Sequence, residues 1–249
     1  MQMGTTDGPA IPPSLIDIEA GGPIALFLDF DGTLVEIASG PDAIVVPADL
    51  PTALGRLAQR FENRVALVSG RSLDDIAQHL GDVPITRAGS HGADCRRADG
   101  SVLGEGARPL DPQVVDQLAS FAQEQGLDLE RKSHGAAIHF RRKPELEARA
   151  VGFAASVAET HGLDIKTGKC VVELVAKGAD KGQAVRAFMA SHPFAGSRPW
   201  FIGDDVTDED GFAACKQLGG GGILVGHKHE TVANFALPDV AGVYEWLGL

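Results

Sequence analysis

The chain has 249 residues, is 44% hydrophobic and carries a net charge of −12. That length supports one large domain or two modest ones, and the negative balance repels polyanions, which excludes nucleic acid as an expected partner while leaving a small anionic substrate compatible with a locally positive pocket. There is no run of ~18 apolar residues to span a membrane, residues 1–23 lack the positive and apolar regions of a secretory signal, and Cys95, Cys170 and Cys215 form no CxxC pair, so a soluble, cytoplasmic monomer with reduced thiols and no membrane partner is expected.

Residues 1–22 are rich in Gly, Pro and Thr and predict a flexible N-terminal tail. The apolar run Ile24-Ala25-Leu26-Phe27 reads as a buried parallel strand. It runs out into Leu28-Asp29-Phe30-Asp31-Gly32-Thr33-Leu34, which places two carboxylates at a strand end beside a glycine turn. Apolar spacing predicts a helix over Pro47–Arg60, a strand at Val65–Val68 ending in Ser69-Gly70-Arg71, a helix from Ser72 to Leu80 and a strand over Ile85–Gly89 ending in Ser90-His91-Gly92. This βαβαβ rhythm implies a doubly wound, Rossmann-like parallel sheet.

The rhythm then changes. Cys95–Gly106 reads as a hairpin, followed by a helix over Asp111–Gln125, strand segments at Leu127–Lys132 and Ala136–Arg141, a helix over Pro144–Thr160 and strand segments at Leu163–Lys166 and Cys170–Val175. The α/β pattern returns with a helix at Lys181–Ala190, a strand at Trp200–Ile202, a helix at Asp208–Lys216 and a strand at Gly222–Val225. Gly219–Gly222 lacks the Gly-Lys-Ser/Thr ending of a phosphate loop and reads as a plain loop. The expected fold is therefore α/β, with a core over 23–107 and 176–249 and an inserted α+β cap domain over 108–175. Caps on glycine-containing connections, here Gly104, Gly106 and Gly178, close over pockets and exclude water.

Asp29 and Asp31, Ser69, Lys181 and the Gly203-Asp204-Asp205-Val206-Thr207-Asp208-Glu209 run end predicted core strands or begin helices. In a parallel sheet these ends share one edge, where ligands bind. Asp29, Asp31 and Asp204 together would repel without a cation, and their oxygen-only donors suit Mg²⁺ better than zinc. Lys181 supplies positive charge to an anionic phosphoryl group, and Ser69 offers a hydroxyl, with the backbone N–H groups from Gly70 onward at the next helix start. An anionic nucleophile, a cation and donors to phosphate suit phosphoryl transfer through an aspartyl-phosphate.

This set of motifs resembles the haloacid dehalogenase superfamily of phosphatases and, more narrowly, the trehalose-6-phosphate phosphatases. The narrower likeness rests on residues 28–34, Val68-Ser69-Gly70-Arg71, Gly89-Ser90-His91-Gly92-Ala93, Gly168-Lys169-Cys170-Val171-Val172-Glu173, Asp180-Lys181-Gly182 and the run Gly203–Phe212. The resemblance implies that Asp29 is the nucleophile and that Asp31 protonates the leaving sugar oxygen and then activates water. It also implies Mg²⁺ on the Asp29 carboxylate, the Asp31 carbonyl and Asp204, oriented from behind by Asp205 and Asp208. Thr33, Ser69, Gly70 and Lys181 would bind phosphate.

Glu130, Lys132, Arg141, Lys169 and Glu173 are charged residues in or beside predicted cap strands, a mixture suited to a polyol. The family's cap motifs put sugar-binding side chains at positions matching Glu130-Arg131-Lys132-Ser133, Lys169 and Glu173, and His91 and Gly92 join that set. The chain departs from the family where an Arg-Pro pair often follows the cap glutamate; Val175-Ala176 stands there. His134, His139 and His161 read as structural or exposed. The expected function is Mg²⁺-dependent hydrolysis of trehalose 6-phosphate. The alternatives are another sugar phosphate (sucrose phosphate, or a glucosyl- or mannosyl-glycerate phosphate) and a catalytically inactive sugar-phosphate sensor.

Overall fold

The structure, a computed structural model, describes residues 9–38, 43–104, 109–132, 134–168, 170–178, 180–226 and 230–249. The chain divides into two compact units. The first holds the residues up to Gly104 and from Asp180 onward, and the second holds the segment between them.

In chain order the first unit opens with α1 (Leu15–Glu19), β1 (Ile24–Leu28), α2 (Leu50–Arg60), β2 (Val65–Val68), α3 (Leu73–Leu80), β3 (Thr86–Gly89) and β4 (Asp94–Arg96). The second unit follows with α4 (Pro112–Gln125), β5 (Asp128–Arg131), β6 (Gly135–His139), α5 (Glu147–His161), β7 (Leu163–Gly168) and β8 (Val171–Ala176). The chain then returns to the first unit with α6 (Lys181–Met189), β9 (Arg198–Gly203), α7 (Glu209–Gln217), β10 (Gly221–Val225), β11 (Phe235–Leu237) and α8 (Val240–Leu247).

The first unit is a seven-stranded sheet ordered β11-β10-β9-β1-β2-β3-β4, parallel throughout except for the β3–β4 pair. Every residue of β1 is buried, as a central strand covered on both faces requires. Alternation sends Ile24, Leu26 and Leu28 into one layer with residues of α1, α2, α3 and α8. Ala25 and Phe27 enter the other layer with residues of α6 and α7. There the Phe27 ring lies 5.5 Å from Phe194 and 6.3 Å from Phe188, centroid to centroid. Side-chain caps set the helix starts: Ser72 Oγ accepts from the Asp75 N–H at 3.1 Å, and Asp180 Oδ1 accepts from the Gln183 N–H at 2.7 Å. The second cap makes Lys181 the first residue of α6.

The second unit is a four-stranded antiparallel sheet ordered β5-β6-β8-β7. Ala136, Ile138, Val172 and Leu174 pack with Val114, Leu118, Ala150 and Ala154 of α4 and α5. The cross-strand row Glu130, Ala137, Glu173 and Lys166 alternates with those residues and therefore projects from the other face.

The elements differ from expectation at three places. The expected flexible tail carries α1 within its described part. Ser14 caps it, Leu15 and Ile18 are buried, and the Trp246 indole donates to the Pro13 carbonyl at 2.8 Å. A five-residue helix is too short to show a period, so the pattern hid it. The expected loop at Gly219–Gly222 holds the start of β10, paired with β9, and glycine is what fits at 221 and 222, where side chains would strike Trp200 and Phe212. Strand β11 and helix α8 are additional. Among the described residues no helix is long and apolar enough to cross a membrane.

Candidate active site

Parallel pairing brings the carboxyl ends of β9, β1, β2 and β3 to one edge of the sheet. Asp204, Asp29, Ser69 and Ser90 are the first residues past those four ends. The ladder holds two of them in line: the Asp29 N–H donates to the Ile202 carbonyl at 2.9 Å, and the Ser69 N–H to the Ala88 carbonyl at 2.9 Å.

Lys181 is the centre of the site. Its Nζ donates to Asp29 Oδ1 at 2.7 Å and to Asp208 Oδ1 at 2.6 Å, and all three side chains are buried. Asp208 Oδ2 accepts the backbone N–H groups of Asp204 at 3.0 Å and Asp205 at 2.9 Å, which fixes the loop after β9. Carboxylate oxygens of Asp29, Asp204 and Asp208 lie within 4.8 Å of one another. Burial pushes the Asp29 carboxyl well above the usual carboxylate range; Asp208 and Asp204 push the same way, and Lys181 opposes them. Burial alone would lower the Lys181 ammonium, but its two aspartates outweigh that and hold it protonated. Three buried carboxylates cluster here with Lys181 bonded to two of them, and a divalent cation would offset their mutual repulsion. Their oxygen-only donor set fits Mg²⁺.

The cluster depends on a close backbone approach. Gly32 has φ of +79°, and a Cβ there would collide with the Asp204 carboxylate. Thr33 is fully buried, and its hydroxyl has no hydrogen-bond partner among the described residues. Ser69 is buried beside Gly70, and its Oγ accepts from the Arg71 N–H at 3.1 Å with its own proton still to donate. A Cβ on Gly70 would lie 2.7 Å from His91 Cε1, so the glycine is what lets the His91 ring lie there. Ser90, His91 and Gly92 all have positive φ, at 58°, 56° and 100°. Burial pushes the Cys95 thiol up to about 12, and Cys215 is likewise raised by burial, which disfavours the thiolate at both.

Not every expected residue joins this cluster. The Asp31 carboxylate is held instead by Arg71, with Nε to Oδ2 at 2.6 Å and one terminal nitrogen to Oδ1 at 2.8 Å. Asp205 is exposed, and its carboxylate accepts from the Val206 N–H at 2.6 Å in a capping box with Asp208. In the second unit the Lys132 Nζ donates to Glu173 Oε2 at 2.8 Å, and His134 Nε2 lies 3.6 Å from Glu173 Oε1. His139 Nε2 lies 2.9 Å from Glu130 Oε2, and this contact holds the Glu130 carboxyl below its usual range. Arg141 is exposed beyond the end of β6. Ser133 and Lys169 lie outside the described residues.

Three contacts had no counterpart in the sequence reading. Arg71 was visible only as part of a motif, although Asp75 stands at i+4 spacing from it. His134, read as structural or exposed, is buried beside Glu173. His139 pairs with Glu130 across β5 and β6, a neighbour that register alone reveals.

The doubly wound sheet of the first unit is a fold met in solved phosphatases and hydrolases. A solved haloacid dehalogenase-like hydrolase from Bacteroides thetaiotaomicron shares the fold, with a TM-score of 0.70 at 16% identity over 91% of this chain and 99% of that one. The model of the family described as trehalose-phosphatase matches residues 27–241. The trehalose-6-phosphate phosphatase of Escherichia coli (strain K12) is 36% identical over 235 residues, 92% of this chain and 87% of that protein. A solved trehalose-6-phosphate phosphatase related protein aligns with a TM-score of 0.70 and 28% identity, covering 90% of this chain and 95% of that one. The chain belongs to the trehalose-phosphatase family.

Replacing Lys181 with Met leaves Asp29 and Asp208 buried without their cation. Urea denaturation without metal should show a loss of about 3–5 kcal/mol relative to wild type. An unchanged midpoint would mean that the ammonium does not hold the cluster together.

Proposed function

We propose that this protein hydrolyses trehalose 6-phosphate to trehalose and inorganic phosphate, as a step of trehalose biosynthesis, through an aspartyl-phosphate on Asp29. The observation that carries the reading is the 2.7 Å hydrogen bond from Lys181 to Asp29 Oδ1, buried at a strand end, in a chain of this family. A lysine there favours the anionic form of the nucleophile and orients it, and it offers its remaining donor capacity to the phosphoryl oxygens.

An Asp29 carboxylate oxygen attacks phosphorus as the bond from phosphorus to the sugar oxygen breaks. Asp31 gives its proton to that leaving oxygen. A water then attacks the phosphoryl group, Asp31 takes the proton from it, and the bond between phosphorus and Asp29 breaks to restore the free carboxylate. The buried Thr33 hydroxyl, the Ser69 hydroxyl and the Gly70 backbone bind the phosphoryl oxygens. Mg²⁺ is the metal of this reading; the Asp29 and Asp204 carboxylates and the Asp31 carbonyl would hold it, and it would supply positive charge to the transferring group. Asp208 acts through Lys181 and through the two N–H groups it accepts.

The second unit serves as the cap in this reading. Glu130, Lys132, Ser133, Arg141, Lys169 and Glu173 take the sugar hydroxyls, joined by His91 and Gly92 of the first unit. Support comes from the Lys132–Glu173 contact and from the row of charged residues on the sheet face opposite α4 and α5. The enzyme acts as a cytoplasmic monomer with the sugar phosphate as its partner.

Phosphate release across a panel of sugar phosphates, with and without Mg²⁺, tests the reading. Mg²⁺-dependent selectivity for trehalose 6-phosphate is expected. Selectivity for sucrose phosphate or a glycerate-linked sugar phosphate would replace the substrate, and binding without release would make the chain a sensor. Asp29→Asn should abolish turnover while the thermal midpoint and sugar binding persist; a residual tenth of wild-type rate would remove Asp29 as nucleophile. Glu173→Ala should lower kcat/KM for the disaccharide phosphate by ~10- to 100-fold while hardly affecting an aryl phosphate. Equal losses on both would take Glu173 out of the sugar site.

A further inference from the structure

The two aspartates of the strand-end pair are two residues apart, yet each has its own cation. Asp29 turns inward to the buried Lys181, and Asp31 turns to Arg71. The Asp31 side chain is 35% exposed, so nothing in its packing confines the carboxylate to one orientation. The Arg71 fork does. Two parallel N–H donors, at 2.6 and 2.8 Å, fix both the position and the plane of the carboxylate. Each Asp31 oxygen keeps a second lone pair beyond the one given to Arg71.

Arg71 is itself held. Its side chain is 11% exposed, and its other terminal nitrogen donates to Asp75 Oδ2 at 2.6 Å. Its backbone N–H is anchored on Ser69 Oγ, and its guanidinium lies 6.0 Å from the Phe30 ring centroid. Asp75 sits in the first turn of α3, where Ser72 caps its N–H and His79 stands one turn on at 3.6 Å. The bridge Asp31–Arg71–Asp75 thus ties the loop after β1 to a helix of the core.

We propose that Arg71, anchored by Asp75, is a positioning residue that fixes the Asp31 carboxylate as the base that takes the proton from the hydrolytic water. This rests on Asp31 being the acid and base of the proposed reaction. Arg71 touches no reacting atom; it acts by holding the group that does.

The test uses 4-nitrophenyl phosphate with saturating Mg²⁺ and rapid mixing. Nitrophenolate leaves without being protonated, so phosphorylation of Asp29 proceeds without Asp31, whereas hydrolysis of the phosphoenzyme needs it. Arg71→Gln should therefore give a burst of one nitrophenolate per enzyme, followed by steady turnover ~100-fold below wild type. Arg71→Lys keeps the charge, loses the fork and should fall between the two. Asp75→Asn should show the same burst with a smaller steady-state loss. Asp31→Asn, run alongside, should burst and stall. If Asp31→Asn turns over like wild type, the acid–base reading of Asp31 fails. If Asp31→Asn stalls but Arg71→Gln turns over within twofold of wild type, the positioning role is overturned and the acid–base reading stands. Loss of the burst itself in Arg71→Gln would place Arg71 in phosphorylation and overturn the proposal as well. Should Arg71→Gln not fold, Asp75→Asn carries the test, and wild-type turnover there overturns it.

Discussion

An excess of buried negative charge at the end of β1 is the constraint on which the first unit depends. Asp29, Asp204 and Asp208 lie together out of water, and the Lys181 ammonium contacts Asp29 and Asp208. Such a group persists only where the surrounding structure is rigid enough to hold like charges at short range. The parallel ladder supplies that rigidity on one side by pinning Asp29 to Ile202. The Asp208 capping bonds supply it on the other by fixing the backbone of Asp204 and Asp205. Gly32 completes the arrangement, since any side chain there would occupy the space of the Asp204 carboxylate.

The strands and helices of the first unit were legible because each buried strand is a short apolar run bounded by turn residues, and each crossover helix shows its period. The shared strand edge followed from the parallel order, so Asp29, Ser69, Lys181 and Asp204 could be gathered before any coordinates. What could not be read was the direction of each side chain once there. Asp31 and Asp208 are both carboxylates in acidic runs, and sequence gives no reason for one to face Lys181 and the other Arg71. That choice is made by burial, which is complete at Asp208 and partial at Asp31. Short elements were lost for a different reason: α1 and β11 have five and three residues, too few for any period to register.

The second unit shows how one sheet separates packing from chemistry. Residues 136, 138, 172 and 174 join the helices in its core, while Ala137 and Glu173, one step away in the alternation, face the opposite side. A carboxylate within the apolar run Val171–Val175 is therefore no anomaly of the core. It is the outward half of a period of two. Its two basic neighbours, Lys132 and His134, come from the short connection between β5 and β6, so turn geometry and register together decide what Glu173 meets.

The contact between Asp29 and Lys181 spans 152 positions of sequence, and β1 pairs directly with β9 across the whole second unit. The antiparallel sheet of the second unit is continuous in the chain and can form from nearer neighbours, whereas the central pair of the seven-stranded sheet cannot close until Arg198–Gly203 is available. During synthesis Asp29 thus leaves the ribosome long before its counter-charge, with its strand lacking one of its two flanking partners. Non-local pairing of this kind is slow and exposes strand edges while it waits.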